Sequence, residues 1–301
     1  MRARRLGRVF GAEMGPSWMA SHAAYPAPVR RDDGSVRVYF VTRDDRNRGQ
    51  VAWVDVDAAD PLRVLAVAGE PALRPGATGE FDEAGVAIGC VVSAGGTLRL
   101  YYMGWHGTGG HPFRNAIGVA VSDDGDVFSR FGSAPVVAPG ARDPFSLGYP
   151  FVYQAGPGWE MIYGSHRGPG TSDRDMDHAL MHATSDDGFV WRPTGLPPHR
   201  ALLAPGHGEL GLSRPWIVDW HDERHLLFSI RRRDYTVGSA RRAGDGSWIR
   251  ANPDLLGKGD AGWECEASCY ASHIRIDGRD LLFYCGNNYG RTGFGVADLC
   301  A

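Results

Sequence analysis

A short apolar stretch recurs five times along this chain of 301 residues, at nearly constant spacing. Its clearest copy is Arg99-Leu-Tyr-Tyr-Met-Gly-Trp105, an aliphatic and aromatic run that ends in a large side chain. The equivalent residues of the five copies are Phe40, Tyr102, Tyr163, Phe228 and Tyr284, at steps of 62, 61, 65 and 56 residues. A repeat of this length is one supersecondary unit that must stack on its neighbours, because it cannot bury its apolar face alone.

The same accessory segments accompany each copy, and they define the unit. An apolar stretch precedes the core strand, and a third strand, an Asp-Gly turn and a fourth strand follow it in most copies. Four strands per unit are typical of a propeller blade. The pattern predicts an all-β fold, a five-bladed β-propeller with four antiparallel strands per blade and an axial pocket.

The repeats fill the chain, which predicts a single domain over residues 1–301. The blades are expected at about 18–72, 80–134, 142–196, 208–252 and 263–301. The last blade has only three strands of its own. Residues 1–12, which contain Arg8-Val-Phe10, are therefore expected to supply its outer strand and to remove an exposed sheet edge.

Composition excludes several classes of partner. The formal net charge is −3, so the chain lacks the basic field that binding nucleic acid or an anionic membrane requires. The basic start of the chain is followed by no apolar core of a signal peptide, and no run of 18 apolar residues occurs. Five scattered cysteines, an odd number, are typical of reduced thiols, so we expect a cytoplasmic protein.

The sequence predicts neither a metal nor a cofactor. Cys265 and Cys269 are spaced like metal ligands, but no second pair accompanies them. Two histidine pairs with the same spacing lie on a predicted strand and on a turn rather than on a helix, where that spacing would place both rings on one face; they are His178 with His182 and His221 with His225.

A propeller brings the starts of its inner strands and the ends of its second strands to one face, so side chains there should converge on the axial pocket. The candidates at or before the starts of inner strands are His22, Asp82, Glu83, Asp143, Glu209, Glu264 and Glu266, and Arg214 is a candidate within the inner strand of the fourth blade. Those at the ends of second strands are Arg43, Trp105, His166, Arg167, Arg231 and Asn287. The expected pocket is acid-centred and ringed by arginine, histidine and tryptophan. Each acid alone could also cap a turn or pair with a nearby arginine.

Several motifs resemble the five-bladed propeller glycoside hydrolases, the arabinanase/xylosidase and invertase group. They are Phe81-Asp-Glu-x-Gly85, Ala116-Ile-Gly-x-Ala-x-Ser-Asp-Asp-Gly125, Ser213-Arg-Pro215 and Gly286-Asn-Asn-x-Gly-x-x-Gly-Phe-Gly295. The resemblance covers nearly the whole chain and implies a glycosidase-like enzyme with three carboxylates. Arg142-Asp143-Pro144 is similar to the motif of the orienting aspartate, and Glu209 resembles the acid by position. The first carboxylate has no counterpart, because residues 18–26 contain no acid.

Glycosidic cleavage needs one protonated acid and one ionised carboxylate, and their surroundings separate the two roles. We assign Glu209 as the acid, Asp82 as the base and Asp143 as the orienting group. Trp105, Trp18 and Tyr235 are expected to stack on a sugar ring.

Two alternatives remain open. In the first, the scaffold carries a phosphorylase, a transferase or a tailoring enzyme with an anionic substrate, which Arg43, Arg167 and Arg231 would hold. The missing acid of the first blade favours this alternative. In the second, the chain is a non-catalytic carbohydrate-binding propeller.

Overall fold

The computed structural model describes residues 1–106, 114–166, 168, 178–194 and 202–300, and these are mostly β-strand. The strands are, in chain order, β1 (Arg2–Phe10), β2 (Ser21–Arg30), β3 (Val36–Arg43), β4 (Gly49–Val56), β5 (Val64–Val67), β6 (Gly85–Ala94), β7 (Thr97–Trp105), β8 (Ala116–Ser122), β9 (Ser129–Arg130), β10 (Leu147–Ala155), β11 (Gly158–His166), β12 (His178–Ser185), β13 (Arg192–Pro193), β14 (Gly211–Trp220), β15 (Glu223–Arg231), β16 (Tyr235–Arg242), β17 (Trp248–Leu256), β18 (Cys269–Ile276), β19 (Arg279–Cys285) and β20 (Phe294–Cys300). The described helical segments are a 3₁₀ turn at Ala12–Met14 and a helical turn at Asn287–Gly290. Neither has the length or the apolar character that crossing a membrane requires.

Strands that follow one another in sequence pair side by side in antiparallel fashion, which gives a propeller-like architecture. Three sheets have four strands each, in the orders β10-β11-β12-β13, β14-β15-β16-β17 and β1-β20-β19-β18. A larger sheet contains β2 to β5 and β6 to β9, joined where β4 runs parallel to β6 at a single pair, Gly49 and Gly85. Both positions must be glycine, since an added Cβ on Gly85 would lie 2.5 Å from the backbone nitrogen of Gly49. The predicted all-β class and the four-stranded antiparallel sheets are confirmed.

The first strand of the chain joins the last. β1 pairs with β20 from Arg2 opposite Cys300 to Phe10 opposite Phe294, the pairing that the sequence predicts for the N-terminal segment. Phe10 is buried and packs 5.3 Å from the ring of Phe40 and 6.3 Å from that of Phe294. β1 therefore contributes to the core as well as covering the edge of β20.

The Asp-Gly turns are structural, as their sequence suggests. Gly125 and Gly188 have φ angles of 79° and 82°, in the left-handed region that a hairpin needs. Their carbonyl oxygens accept hydrogen bonds from the hydroxyl groups of Tyr39 (2.7 Å) and Tyr101 (2.8 Å), which belong to the preceding repeat. Each turn thus fastens one four-stranded unit to the one before it.

The first strand of each repeat carries a β-bulge at an equivalent position. The pairing shifts register between Ala24 and Ala27, Ile88 and Cys90, Gly148 and Phe151, Ser213 and Trp216, and Cys269 and Ser272. Four of the bulges hold a non-glycine residue at a φ of 53° to 56°, namely Tyr25, Tyr149, Arg214 and Tyr270. Each such residue costs about 1–2 kcal/mol and persists only where its surroundings hold it. The three tyrosine rings of these bulges contact one another, and the Arg214 guanidinium group lies 5.8 Å from the centre of the Tyr25 ring.

Candidate functional site

A cavity of about 370 Å³ is lined by residues from several repeats, and its size suits a small ligand. Tyr25, Tyr149 and Tyr270 form its floor. The rings of Tyr25 and Tyr270 stack at 4.4 Å, and that of Tyr149 lies 5.9 Å and 5.8 Å from them. Burial raises the pKa of all three hydroxyl groups, so they remain protonated at neutral pH.

Two further tyrosines stand at the side of the cavity. Tyr235 and Tyr289 meet edge to face at 5.6 Å, and Tyr235 also packs against Tyr270. Trp105 lines the wall, and its ring packs against Gly49 and Gly85, the two glycines of the parallel pair. A Cβ added to either glycine would lie about 3 Å from this ring, so a larger residue at either position would displace it. The cavity therefore offers several flat aromatic faces of the kind that contact sugar rings.

Arg214 lies beneath this floor and is fully buried. Its guanidinium group donates to the carbonyl oxygens of Ile88, Tyr25 (3.3 Å) and Pro26 (2.8 Å), and burial lowers its pKa to about 10. The side chain from β14 thus ties together the bulges of β2 and β6. Arg214 is not among the described residues that line the cavity, so its contact with substrate stays a prediction.

Arg231 and Arg43 line the same cavity, as predicted for the ends of second strands. Arg231 is only 7% exposed, and no described carboxylate lies within ion-pair distance of it. Arg43 donates to the side-chain oxygen of Asn47 (2.8 Å) and lies 5.6 Å from the centre of the Trp105 ring. Among the described residues it too has no carboxylate partner. The walls therefore carry two positive charges that no described acid neutralises.

Two histidines complete the wall. His166 ends β11 and His178 begins β12, directly opposite each other in the antiparallel pair. Their rings stack at 5.1 Å with an angle of 18°, and the His178 ring lies 6.0 Å from that of Tyr149. His166 is where the sequence predicts it, whereas His178 was assigned only to a rejected metal pair.

No aspartate or glutamate of the described chain lines the cavity. Asp82, Asp143 and Glu264 are instead buried within their own repeats, with exposed fractions of 0%, 3% and 3%. Each accepts a hydrogen bond from the hydroxyl group of a core-strand tyrosine that follows it by 20 residues: Tyr102 (3.0 Å), Tyr163 (2.7 Å) and Tyr284 (2.8 Å). We call these three contacts the carboxylate–tyrosine clasps. None of these three acids is among the described residues that line the cavity, because each holds the start of its strand to the strand beside it.

Two of the clasps also hold an arginine. Arg130 donates to Asp82 (2.9 Å) and Arg5, from β1, donates to Glu264 (2.8 Å). These contacts match the alternative noted above, in which an acid near a strand start pairs with a nearby arginine.

Glu209 occupies the corresponding place in the fourth repeat, where the core-strand residue is Phe228 and cannot donate. Its side chain pairs with Arg250 (2.8 Å) and Arg232 (3.3 Å) and accepts from the backbone N–H of Gly206 (2.6 Å). Burial would raise the pKa of Glu209, but the two arginines and this N–H together lower it. A carboxylate held in the ionised form is a poor proton donor, so the geometry does not favour the role assigned from the sequence.

The other predicted residues also lie outside the described cavity lining. Glu83 bonds the backbone of Gly79 (2.7 Å) and approaches His106 (3.6 Å), while Glu266 is exposed in a neighbouring groove of about 680 Å³. The buried amide of Asn287 accepts from the backbone of Glu266 (2.8 Å) and stabilises that loop.

His22 and Trp18 are not among the described residues that line the cavity, and Trp18 lines a separate surface pocket. The Nδ1 atom of His22 is 2.9 Å from the Ser21 hydroxyl, and burial with Arg43 and Arg291 lowers the pKa of the ring to about 4. The Trp18 indole donates to the carbonyl oxygen of Gly69 (2.9 Å). Arg167 is outside the described residues.

Five of the residues predicted from the sequence thus lie together in one cavity, and other lining residues were missed. The five are Arg43, Trp105, His166, Arg231 and Tyr235, and the missed residues include Tyr25, Asn47, Asn115, Tyr149, His178, Tyr270 and Tyr289. One signal was present: Tyr25-Pro26, Tyr149-Pro150 and Arg214-Pro215 recur at equivalent places in the repeat. A large residue before proline in these inner strands marks the bulge.

Comparison with known proteins supports this fold. No protein-family model matches the chain. The uncharacterized protein Rv1502 of Mycobacterium tuberculosis is 36% identical over 304 residues, covering 98% of both chains. A solved glycoside hydrolase superposes with a TM-score of 0.75 and 16% identity, covering 98% of this chain and 91% of that one. Another solved structure comes from a report that the GH130 family of mannoside phosphorylases contains glycoside hydrolases that target β-1,2-mannosidic linkages in Candida mannan. It superposes with a TM-score of 0.74 and 13% identity, covering 98% of this chain and 93% of that one. The neighbours are glycoside hydrolase-like propeller proteins, so the resemblance is confirmed at the level of the fold.

Proposed function

The chain belongs to the family of the Mycobacterium tuberculosis protein Rv1502, and we propose that it is an enzyme that processes a glycosyl group in the central cavity. Its substrate is a small carbohydrate or carbohydrate-like molecule that carries, or reacts with, an anionic group. In this proposal five blades surround an axial pocket. The larger sheet counts as two of these blades, β2 to β5 and β6 to β9, which touch at one parallel pair. In support, the strands bearing the five bulges each begin one group of four, and Arg214 of one group reaches the bulges of two others.

The observation that carries the proposal is the buried guanidinium group of Arg231 in the cavity wall. A buried charge without a partner is costly, and an arginine presents a planar fork that matches a phosphate or carboxylate group. Arg43 adds a second charge to the same space. An anion bound between them would offset the cost of burying Arg231, while Trp105, Tyr235 and Tyr289 contact the sugar ring.

The charges of the cavity bear on the class of reaction. Simple hydrolysis by a carboxylate pair requires two acids beside the sugar, and none of the described acids lines the cavity. The arginines favour a reaction in which phosphate attacks the glycosyl carbon. One structural neighbour is reported for a family of mannoside phosphorylases that also contains glycoside hydrolases, so both reactions occur in that family. Phosphate-dependent turnover of a glycoside would support this alternative. An inert protein that binds sugars tightly would instead support a non-catalytic role.

We expect Arg231→Met to weaken binding of inorganic phosphate by roughly 10-fold to 100-fold, because a charge-assisted hydrogen bond contributes about 1.5–3 kcal/mol. Arg43→Met should show a smaller loss, since its side chain is less buried. Isothermal titration calorimetry measures both affinities. Arg233→Met is the matched control, because this exposed neighbour lies in the adjacent groove rather than in the cavity. Unchanged affinity in both cavity variants would remove the anion from the proposal.

A further inference from the structure

We propose that the groove beside the cavity binds a second sugar unit, so that the substrate is a glycoside of at least two sugars. This inference rests on the proposed function and names the class of substrate for that site. The groove measures about 680 Å³, and the cavity alone, at about 370 Å³, lies near the lower end of the range of about 300–1,000 Å³ that ligand sites occupy. The two spaces together therefore suit a ligand longer than one sugar.

The groove and the cavity share a wall. Arg231, Tyr235 and Tyr289 line both spaces. Arg231 ends β15 and lies directly opposite Tyr235, which begins β16, and the Tyr235 ring meets that of Tyr289 edge to face at 5.6 Å. An anion held by Arg231 would therefore lie at the boundary between the two spaces. With one sugar in each space, the bond between the sugars would lie at the same boundary.

Tyr289 presents an aromatic face at this boundary. Its side chain is 41% exposed, and its hydroxyl group adds a donor and an acceptor to the flat ring. Asn288 and Tyr289 both have left-handed backbone angles, with φ of 50° and 59°. This conformation costs free energy in residues other than glycine and is frequent at ligand sites. The geometry thus supports a contact between Tyr289 and a ligand in either space.

Asn287 holds the walls of the groove together. Its buried amide accepts hydrogen bonds from the backbone N–H groups of Glu266 (2.8 Å) and of the next residue (3.2 Å), and it donates to a carbonyl oxygen of the same loop (2.9 Å). The N–H of Ser268, farther along this loop, donates to the carbonyl oxygen of Tyr235 (3.3 Å). The loop of Glu266 is therefore fixed both to the turn of Tyr289 and to the fourth repeat. A groove formed in advance lowers the cost of ordering on binding.

The charges of the groove favour an uncharged unit. Arg232 and Asp234 form ion pairs with residues outside the described groove lining, at 3.3 Å and 2.8 Å. The exposed Arg233 and Glu266 have opposite signs, so neither charge dominates. A sugar hydroxyl group can donate to the carboxylate of Glu266 and accept from the exposed amide of Asn288. The groove therefore suits the hydroxyl groups of a neutral sugar, and the anion belongs to Arg231.

Isothermal titration calorimetry of the full-length protein tests the groove with matched pairs of ligands. Each pair compares a methyl hexoside with a disaccharide that has the same sugar at its non-reducing end, and cellobiose, lactose and mannobiose are the three disaccharides. We expect at least one disaccharide to bind roughly 10-fold more tightly than its methyl hexoside, because stacking and a charge-assisted hydrogen bond add affinity.

Variants of the groove locate this gain. A double variant with Glu266→Ala and Asn288→Gly should weaken the disaccharide roughly 10-fold more than the methyl hexoside, since both substitutions remove polar contacts of the groove. Glycine at position 288 adopts the left-handed angle without strain. Glu223→Ala is the matched control, because this exposed glutamate lies outside the described groove lining, and it should change neither affinity.

The possible outcomes separate this inference from the proposed function. If each disaccharide binds no more tightly than its methyl hexoside, the second sugar site is overturned while the proposed function stands. If neither phosphate nor any methyl hexoside binds, the proposed function fails and this inference fails with it. Equal losses for both ligands in the double variant, with a lower melting temperature, would make the loop structural and also overturn the second site.

Discussion

Deletion of residues 1–12 is expected to abolish folding or to lower the melting temperature by more than about 10 °C. The deletion removes the whole of β1, exposes the edge of β20, and takes Val9 and Phe10 out of the core. Each buried side chain of this kind contributes about 1.5–3 kcal/mol, and in large domains each kcal/mol shifts the melting temperature by about 2–4 °C. The loss of the Arg5–Glu264 ion pair adds to the effect.

Two point variants of the full chain separate closure from nonspecific damage. Phe10→Ala should cost about 3–5 kcal/mol, because it leaves a cavity between the rings of Phe40 and Phe294. Arg4→Ala should have little effect, since its side chain is exposed and its pair with Asp298 is worth at most about 1 kcal/mol. A truncated protein that melts like the full chain would show that β1 does not close the fold.

Asp82→Ala is expected to lower stability by about 3–5 kcal/mol, or roughly 6–20 °C in melting temperature, without weakening phosphate binding. The variant leaves Arg130 without its carboxylate and the buried hydroxyl group of Tyr102 without its acceptor. Thermal melting and phosphate titration measure the two effects independently. Asp32→Ala, at an exposed loop position, is the control. Lost binding or activity at unchanged stability would place Asp82 in the site and contradict the clasp.

Glu209→Gln gives the sharpest comparison with the role assigned from the sequence. A proton donor would lose activity of roughly 100-fold to 10,000-fold on a poor leaving group, with little change in stability. The observed pairs with Arg250 and Arg232 predict the opposite, a lower melting temperature and unchanged phosphate affinity. Activity and melting temperature measured on one preparation distinguish the two outcomes.

The architecture was accessible from the sequence because it repeats. The core strands, the Asp-Gly turns and the N-terminal partner of the last strand all follow from spacing and from the cost of an exposed edge. The ends of β3, β7, β11 and β15 also follow from the repeat, and Arg43, Trp105, His166 and Arg231, which end these strands, line one cavity.

Asp82, Asp143 and Glu264 were expected at the cavity and do not line it among the described residues, because one sequence pattern has two physical explanations. A carboxylate before each inner strand is expected of an acid-lined axis, and equally of a buried contact repeated in each unit. The constant 20-residue interval between Asp82 and Tyr102, and between Asp143 and Tyr163, distinguishes the two and can be read from the chain. The floor was missed for two reasons. Tyr25-Pro26 and Tyr149-Pro150 mark two of its bulges and were not used, whereas Tyr270 is followed by alanine, so its bulge depends on strand pairing rather than on local sequence.

The most direct test of the account is a crystal structure of the protein soaked with a hexose phosphate. We predict that the phosphate oxygens lie about 2.9 Å from the guanidinium group of Arg231, with the sugar ring against Trp105 or Tyr289 and beside His166 and His178. Asp82, Asp143 and Glu264 should keep their tyrosine partners unchanged. A sugar bound against any of these three acids, with Arg231 and Arg43 making no contact to the ligand, would contradict the account.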